Sequence, residues 1–546
     1  MAGRVFVVGI DGGDFSLIKR WANEGKLPHF KNIMEQGSYG KLRSTIPPIT
    51  GAAWSSFQTG TNPGKHGAFN WFKRVKGEYR AAPVNNNDIS EPTLWQILSR
   101  QDKKVGVIGV PVTYPPKKVN GFLIPGLLTP NNSSQQSYPL DIMDEVREIA
   151  PDFKFSPKEW TRGYEPKGWV DEMKDDIENK VRVTLDFMEK KDWDLMMVHF
   201  METDQVQHFM WDYLENNEGD WDPVMDIYQQ ADQALGRLEE RLDDQDTLLI
   251  MSDHGFGPLN YDFHIDTWLL QEGYIKFKNN PMTLLKRLGF NLGITKESLY
   301  PVGEYLYPFL NKIDFLNSFY DIASNPILEW LFLSSQNVNW KRTKAYSHSE
   351  IGHIYLNVKG REPEGCVEPE DVPALRDEII EKLSELENPF TGKKITSQIY
   401  KGEELYHGDK SHNAPDIVFL PDDMEIIGKG AYEFLCHKTI SPSRYMGGHH
   451  RMDGIFMAKG PDIKSANEMK AHIMDIAPTI LHNMGLPLLE SMDGEIIDSI
   501  YSQEFLENHE KEEVSKEDLD LEIDTDEADT DDEEMKKRLK GLGYVS

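Results

Sequence analysis

The sequence predicts an α/β fold: a doubly wound, mostly parallel sheet flanked by helices, with an inserted helical cap region. Strand-like hydrophobic runs alternate with helical patterns, which is typical of a parallel sheet covered on both faces. The strand-like runs lie at 4–10, 105–110, 194–200, 247–252, 353–358 and 416–420. The helical patterns include 168–190, 223–243, 371–386 and 470–484. Polar residues follow several runs directly, at the strand ends where open α/β sheets place their sites.

Asp11 leaves the first predicted strand in the string Gly9-Ile10-Asp11-Gly12-Gly13-Asp14. The glycines allow another group to approach the backbone closely, so Asp11 is a candidate metal ligand. Asp14 is expected to cap the helix that follows.

Thr50 stands at the start of a predicted helix, in a segment that runs on through Thr59-Gly60, Pro63 and His66-Gly67. One interpretation is a helix N-cap, the ordinary role of a hydroxyl at this position. The other is a nucleophile, because a helix N-terminus favours a bound phosphate and a metal ion can hold a hydroxyl in its alkoxide form.

Two further strings each supply one carboxylate and one imidazole. Asp204 and His208 are four residues apart, which places them on one face of a helix. Asp253-His254 follows the run 247–252 directly, so a buried strand aims the pair at the sheet edge. Mixed oxygen and nitrogen ligands suit a divalent transition metal, and two such pairs suggest two metal ions.

A late glycine turn, Gly447-Gly448, offers His449 and His450 just before another strand. One of the two histidines is a plausible ligand. The alternative for either is a surface histidine without a role at the site.

The 546-residue chain is 39% hydrophobic and carries a net charge of −32. This charge argues against binding duplex nucleic acid or anionic membranes, but not against small phosphorylated substrates, because bound cations reverse the local potential. Only Cys366 and Cys436 are present, so no disulfide framework is expected. Without a signal-peptide pattern or an apolar run of transmembrane length, the expected location is the cytoplasm.

The predicted division has four parts. Residues 1–256 and 346–507 form the two halves of the α/β core, and the aromatic and Leu-rich segment 257–345 forms the inserted cap. Residues 508–546 are an acidic linker followed by a short amphipathic helix, which is expected to dock on the body or on another subunit.

Taken together and in this order, the five segments resemble the alkaline phosphatase superfamily, and most closely its type I phosphodiesterase/nucleotide pyrophosphatase branch. The Thr50 segment is the most specific part, with Thr-Gly, Pro and His-Gly at the family's spacing. The segment 474–494, with Ala-Pro-Thr, Gly-Leu-Pro and Met-Asp-Gly, is similar to the family's C-terminal part. The resemblance spans roughly residues 4–500. One departure is that the late turn reads His-His-Arg instead of His-Gly.

The resemblance implies two divalent metal ions, zinc or alternatively manganese. It implies that one ion is bound by Asp11, Thr50, Asp253 and His254, and the other by Asp204, His208 and His450. His449 remains the alternative to His450. Asn70 stands near the place of a family asparagine that contacts a phosphate oxygen, although the spacing is slightly short; a polar residue in a surface turn is the other interpretation.

The implied activity is hydrolysis of phosphodiester or nucleotide pyrophosphate bonds through a phosphothreonine intermediate on Thr50. The partner is then a small phosphorylated substrate, with nucleotides among the candidates, and the oligomeric state stays open. Phosphomonoesterase or phosphomutase chemistry of the same superfamily is the alternative, and a non-catalytic metal-binding protein is a further one. A sulfatase is not expected because neither cysteine lies in a Cys-x-Pro-x-Arg string, and a sugar kinase would need a second glycine-rich phosphate loop.

Overall fold

The fold was determined as a computed structural model, which describes residues 3–160, 165–216, 221–299, 330–348, 351–421, 424–430, 434–444, 446–521 and 532–541. The described strands are β1 (Val5–Ile10), β2 (Ser38–Arg43), β3 (Phe72–Arg74), β4 (Ala81–Pro83), β5 (Val105–Ile108), β6 (Gly121–Ile124), β7 (Leu195–Phe200), β8 (Thr247–Met251), β9 (Gly255–Pro258), β10 (Tyr261–His264), β11 (Ala345–Tyr346), β12 (His353–Leu356), β13 (Thr396–Lys401), β14 (Ile417–Pro421), β15 (Ile426–Lys429), β16 (Ile440–Pro442), β17 (Gly448–Arg451), β18 (Asp453–Lys459), β19 (Asn467–His472), β20 (Leu488–Leu489) and β21 (Glu513–Val514). The described α-helices are α1 (Phe15–Asn23), α2 (Pro28–Gln36), α3 (Thr50–Thr59), α4 (Pro63–His66), α5 (Leu94–Arg100), α6 (Ile142–Ile149), α7 (Pro166–Lys190), α8 (Glu202–Asn216), α9 (Pro223–Glu239), α10 (Ile265–Gln271), α11 (Pro281–Asn291), α12 (Val372–Glu385), α13 (Gly402–Leu405), α14 (Ile476–Asn483), α15 (Gln503–Asn508) and α16 (Asp532–Gly541).

The central sheet has eight strands in the order β19-β2-β18-β8-β1-β7-β5-β6. Strand β1 lies parallel to both β7 and β8, and β18 is antiparallel to its neighbours β2 and β8. The sheet is therefore mostly parallel, as predicted. Along β1, Phe6, Val8 and Ile10 pack against one hydrophobic core, while Val5 and Val7 pack against a second one on the opposite face. Helices cover both faces, so the doubly wound architecture is confirmed.

Some predicted elements differ from the structure. The runs 353–358 and 416–420 do form strands, β12 and β14, but these pair antiparallel to each other in a separate four-stranded sheet. The helical pattern at 470–484 was wrong in its first part, because the chain there forms β19, which pairs parallel with β2, and α14 begins only at Ile476. Pairing with a neighbouring strand outweighed the local helical periodicity.

The four-part division of the chain stays a prediction. Residues of the proposed cap, such as Phe263 and Trp268, share one hydrophobic core with Ile354 and Phe419 from beyond position 345. Residues 300–329 of the proposed cap lie outside the described residues. Among the described helices, none is both long and apolar enough to cross a membrane.

The C-terminal short helix is present as α16, and it docks on the body of the same chain. Met535 and Leu539 are almost fully buried, in a cluster with Ile49 and Trp71. Residues 522–531 of the acidic linker lie outside the described residues. The helix therefore contributes to the core that lies beside the start of α3.

Candidate active site

The site lies at the carboxyl ends of β1 and β8, where both strands deliver polar residues to one edge of the sheet. Asp11 follows β1 and is fully buried. Gly12 has a φ of +64°, and a Cβ there would lie 2.9 Å from Phe256 and 3.2 Å from the Asp204 carboxylate. Glycine is needed at this position because only a residue without a side chain allows α8 to pack this close. The Gly12 N–H donates to Oδ1 of Asp253 at 3.2 Å, which links the two strand ends.

Thr50 is the first residue of α3, and its side chain does not cap the helix. Ile49 occupies the N-cap position without any side-chain hydrogen bond. The Thr50 hydroxyl oxygen lies instead 3.1 Å from Nε2 of His254, and the whole residue is buried. The N-cap interpretation was therefore wrong.

Asp204 and His208 lie one turn apart on α8, as their spacing predicted. The Thr203 hydroxyl donates to the backbone carbonyl of Asp11 at 2.6 Å, which fixes the start of the helix beside β1. Nε2 of His208 lies 3.4 Å from Oδ2 of Asp204. Nε2 of His450 lies 3.1 Å from Nε2 of His208 and 3.3 Å from Oδ1 of Asp204.

His254 joins this cluster from the side of β8. Its Nε2 lies 3.2 Å from Oδ2 of Asp253, 3.7 Å from Oδ1 of Asp11 and 3.8 Å from Oδ1 of Asp204. Two overlapping groups result, each with ligand atoms within 4.8 Å of one another. One group is Asp204, His208 and His450, and the other is Asp11, Asp204 and His254. These residues and Asp253 are called the Asp/His cluster below.

The two late histidines lie in a strand and not in a turn. Strand β17 pairs antiparallel with β9, opposite the residues that follow Asp253-His254. This pairing carries His450 into the cluster, where its ring stacks on that of His254 with centroids 3.6 Å apart. His449 is also buried, with its ring centroid 4.5 Å from that of His450. The prediction of a turn at His449 and His450 was wrong, because these residues pair with strand β9, which lies nearly 200 residues earlier in the sequence.

The imidazole rings of His208, His254 and His450 are all held by a hydrogen bond from Nδ1. Nδ1 of His208, His254 and His450 lies within 2.8–3.0 Å of a backbone carbonyl oxygen, of Gly448, Gly255 and Pro48 respectively. A carbonyl oxygen only accepts, so each Nδ1 carries the proton and each Nε2 presents its lone pair to the cluster. Histidines that bind metal ions are commonly held in this way by their other ring nitrogen.

The buried carboxylates of the cluster lie close together and would be stabilised by a positive charge. Burial, together with the carboxylates of Asp253 and Asp204, raises the pKa of Asp11 well above its usual value. Burial and the Asp204 charge likewise raise the pKa of Asp253. Burial lowers the pKa of His208 to about 4 and holds the pKa of His254 well below its usual range. The imidazoles of His208 and His254 are therefore neutral near pH 7 and do not offset the negative charge of the carboxylates.

The donor set fits divalent metal ions. Oδ1 of Asp11 and Oδ2 of Asp253 are buried and have no hydrogen-bond donor among the residues that the structure describes. Each of these oxygens faces the unprotonated Nε2 of His254, an arrangement of acceptors that a cation would relieve. Carboxylate oxygens and neutral imidazole nitrogens are the ligands that zinc takes in catalytic sites.

Asn70 is buried beside the start of α3, so it does not lie in an exposed surface turn. Its backbone carbonyl lies 3.2 Å from the position of a Cβ on Gly51, and its side-chain oxygen accepts from the N–H of Trp71 at 2.6 Å. The side-chain amide nitrogen lies 3.5 Å from Nδ1 of His353. Asn70 is thus near Thr50, and its contact with phosphate stays a prediction.

Two residues at the site were missed in the sequence. The indole N–H of Trp54 donates to Oδ2 of Asp11 at 2.8 Å, and Nε2 of His199 lies 2.9 Å from the same oxygen. Nδ1 of His199 faces the carbonyl of Gly109 at 2.9 Å and carries a proton. Nε2 of His199 and Oδ2 of Asp11 are then both acceptors, so their contact needs a further proton between them. The available signal was a lone histidine near the end of a buried hydrophobic run, one strand away from Asp11.

A sheet edge that gathers three carboxylates, three imidazoles and a buried threonine has the composition of a metal-dependent hydrolase site. The family model described as type I phosphodiesterase / nucleotide pyrophosphatase matches residues 5–450. The chain belongs to this family, and it is an enzyme that hydrolyses phosphoric esters. The predicted membership of the type I phosphodiesterase/nucleotide pyrophosphatase branch is confirmed.

The fold is also similar to a solved structure, human ectonucleotide pyrophosphatase / phosphodiesterase 5. The TM-score is 0.48 and the sequence identity is 13%, over 90% of this chain and 97% of the human one. A comparison with curated protein sequences gives no significant match.

Proposed function

We propose that the protein is a two-metal hydrolase that cleaves phosphodiester or nucleotide pyrophosphate bonds, with Thr50 as the nucleophile. The observation that carries this proposal is the 3.1 Å contact between the Thr50 hydroxyl and Nε2 of His254, at the edge of the buried Asp/His cluster. The Thr50 hydroxyl does not cap its helix, yet it is buried beside carboxylates and imidazoles whose donor atoms suit a metal ion.

The proposed ligands form two adjacent sets, and Oδ1 of Asp204 in one set lies 3.8 Å from Nε2 of His254 in the other. One ion takes Asp11, Thr50, Asp253 and His254, and the other takes Asp204, His208 and His450. Bound divalent cations would supply Lewis acidity, which lowers the pKa of a coordinated hydroxyl and offsets the charge of the transferring phosphoryl group. We propose zinc, for which this donor set is well suited, with manganese as the alternative.

Thr50 then attacks phosphorus in line with the leaving group. The bond between its hydroxyl oxygen and phosphorus forms while the ester or anhydride P–O bond breaks, and the leaving oxygen takes up a proton. Water subsequently cleaves the phosphothreonine and restores the hydroxyl. Backbone N–H groups in the first turn of α3 help to bind the nonbridging oxygens, because a helix N-terminus favours a phosphate.

A substrate panel tests the proposal. It compares bis-p-nitrophenyl phosphate, p-nitrophenyl phosphate, a nucleotide p-nitrophenyl ester and a dinucleotide pyrophosphate, all with the metal-loaded enzyme. We expect the diesters and the pyrophosphate to be hydrolysed with the higher kcat/KM. A preference for the monoester would instead establish the phosphomonoesterase or phosphomutase alternative.

The proposed location is the cytoplasm. Cys366 and Cys436 are both free thiols in the structure, which supports a reducing compartment.

A further inference from the structure

We propose that His264, Glu297 and Cys436 form a second metal centre, which binds a zinc-type divalent cation outside the active site. One ligand atom from each of the three side chains lies within 4.8 Å of the other two. The centre shares no residue with the Asp/His cluster. Its ligands come from the end of β10, from the short 3₁₀ turn Glu297–Leu299 and from the segment that leads into β16.

Hydrogen bonds to backbone carbonyl groups hold these three segments together. The N–H of Glu297 donates to the carbonyl of Leu435 at 3.3 Å, directly beside Cys436. The Thr267 hydroxyl donates to the carbonyl of Cys436 at 2.7 Å. The N–H of His264 donates to the carbonyl of Thr439 at 2.8 Å. The ligand positions are therefore fixed by contacts that do not involve the ligand side chains, as a preorganised site requires.

The side chains themselves are well placed for a cation. His264 and Cys436 are only 5% and 4% exposed, and the Glu297 side chain is 17% exposed. Nε2 of His264 lies 2.9 Å from the Ser441 hydroxyl, which helps to orient the ring. The Arg444 guanidinium is 3.9 Å from the Glu297 carboxylate and 54% exposed, so this ion pair is weak.

The protonation states agree with a metal centre that releases one proton on binding. Burial lowers the pKa of His264 to about 4, so the imidazole is in its neutral ligand form. Burial and the Glu297 carboxylate raise the pKa of the Cys436 thiol to about 12. A soft cation displaces that proton and takes the thiolate, as zinc does in Cys/His sites. Three protein ligands leave the fourth tetrahedral position to water.

Cobalt(II) titration of the metal-free, reduced protein tests the proposal. A thiolate bound to cobalt gives a near-ultraviolet charge-transfer band, and the proposed active-site ligands include no sulfur. We expect this band in the wild-type protein, complete by about three equivalents of cobalt, because the two proposed active-site ions also take up metal. Cys436→Ser should abolish the band, whereas Cys366→Ser, which changes the other cysteine, should leave it intact. No band in the wild-type protein, or a band that survives Cys436→Ser, would overturn the proposal in favour of a plain thiol–carboxylate hydrogen bond.

Zinc content provides a second measurement that does not depend on the cysteine variant folding. Glu297→Gln keeps the side-chain shape at a partly exposed position and should lower zinc content by about one ion per chain after dialysis. His208→Ala should retain the cobalt band, because it changes only the active site. A normal zinc content in Glu297→Gln would count against the centre, whatever the fate of the proposed phosphodiesterase activity.

Discussion

The hydroxyl oxygen of Thr50 lies 3.1 Å from Nε2 of His254, although the two residues are separated by 204 positions in the sequence. Because Nδ1 of His254 bonds a carbonyl, Nε2 is an acceptor and the Thr50 hydroxyl donates to it. The two atoms are thus close enough to share one cation, and coordination to a metal ion is a general way to activate a hydroxyl nucleophile.

Replacement of Thr50 tests its role directly. Thr50→Ala should lower kcat by roughly three orders of magnitude or more, because it removes the attacking oxygen. Metal content should change little, since Asp11, Asp253 and His254 remain. Thr50→Ser keeps the hydroxyl and should retain measurable turnover. Quenched samples of this variant should contain a phosphorylated serine at position 50. Undiminished hydrolysis by the alanine variant would show that another group attacks phosphorus.

The second prediction concerns the choice between the two late histidines. His208→Ala and His450→Ala should each remove about one metal ion per chain, because each deletes a ligand of the same proposed ion. His449→Ala is the matched control, since His449 is equally buried beside them but lies outside the proposed ligand group. Elemental analysis after dialysis measures the difference. Loss of an ion from His449→Ala alone would reverse the assignment.

Trp54 should strengthen metal binding through its hydrogen bond to Asp11. Trp54→Phe removes the N–H that donates to Oδ2 of Asp11, and we expect metal binding to weaken by about tenfold. Competition with a chelator gives the dissociation constants. Trp95→Phe, at another buried tryptophan away from Asp11, controls for the change in packing. Equal affinities in the two variants would mean that the indole serves packing only.

Stability should fall in mild acid, in part because of His66. The Ala68 N–H donates to Nδ1 of this buried ring, and Nε2 then donates to the Ser56 hydroxyl at 3.0 Å. Burial lowers the pKa of His66 to about 3. In the unfolded chain the pKa is about 6.5, so unfolding takes up a proton at intermediate pH. The contribution of His66 is therefore fully present above about pH 6.5 and is lost as the pH falls.

Urea unfolding at two pH values measures this effect. Between about pH 7 and about pH 5, the wild-type protein should lose about 2 kcal/mol more unfolding free energy than His66→Gln. Identical pH dependence in the two proteins would show that His66 is not held neutral by the fold.

The C-terminal helix should contribute to stability. Leu539→Ala removes a fully buried side chain from the cluster that contains Ile49, and should cost about 2–5 kcal/mol of unfolding free energy. Leu285→Ala, at a side chain that is 65% exposed, should change stability by less than about 0.5 kcal/mol. Denaturant midpoints compare the two variants. Equal midpoints would mean that α16 adds nothing to the folded core.

Much of the site could be predicted because its ligands follow local patterns. A buried hydrophobic run ends directly before Asp253, and the four-residue spacing of Asp204 and His208 needs only a helix to place both on one face. Strand β19 could not be predicted, because its partner β2 lies more than 400 residues earlier and its own residues also fit a helix. His199 was missed for a similar reason: only its register opposite Gly9 brings it to Asp11.

The sequence by itself determined the α/β class, the family and the residue types that the site uses, because hydrophobic period and motif spacing depend on neighbours within a few positions. Only the tertiary structure decided that Thr50 contacts His254 instead of capping its helix, and that His450 enters the cluster. Those contacts join segments hundreds of residues apart, and their geometry depends on how the strands pair and on which face each helix packs.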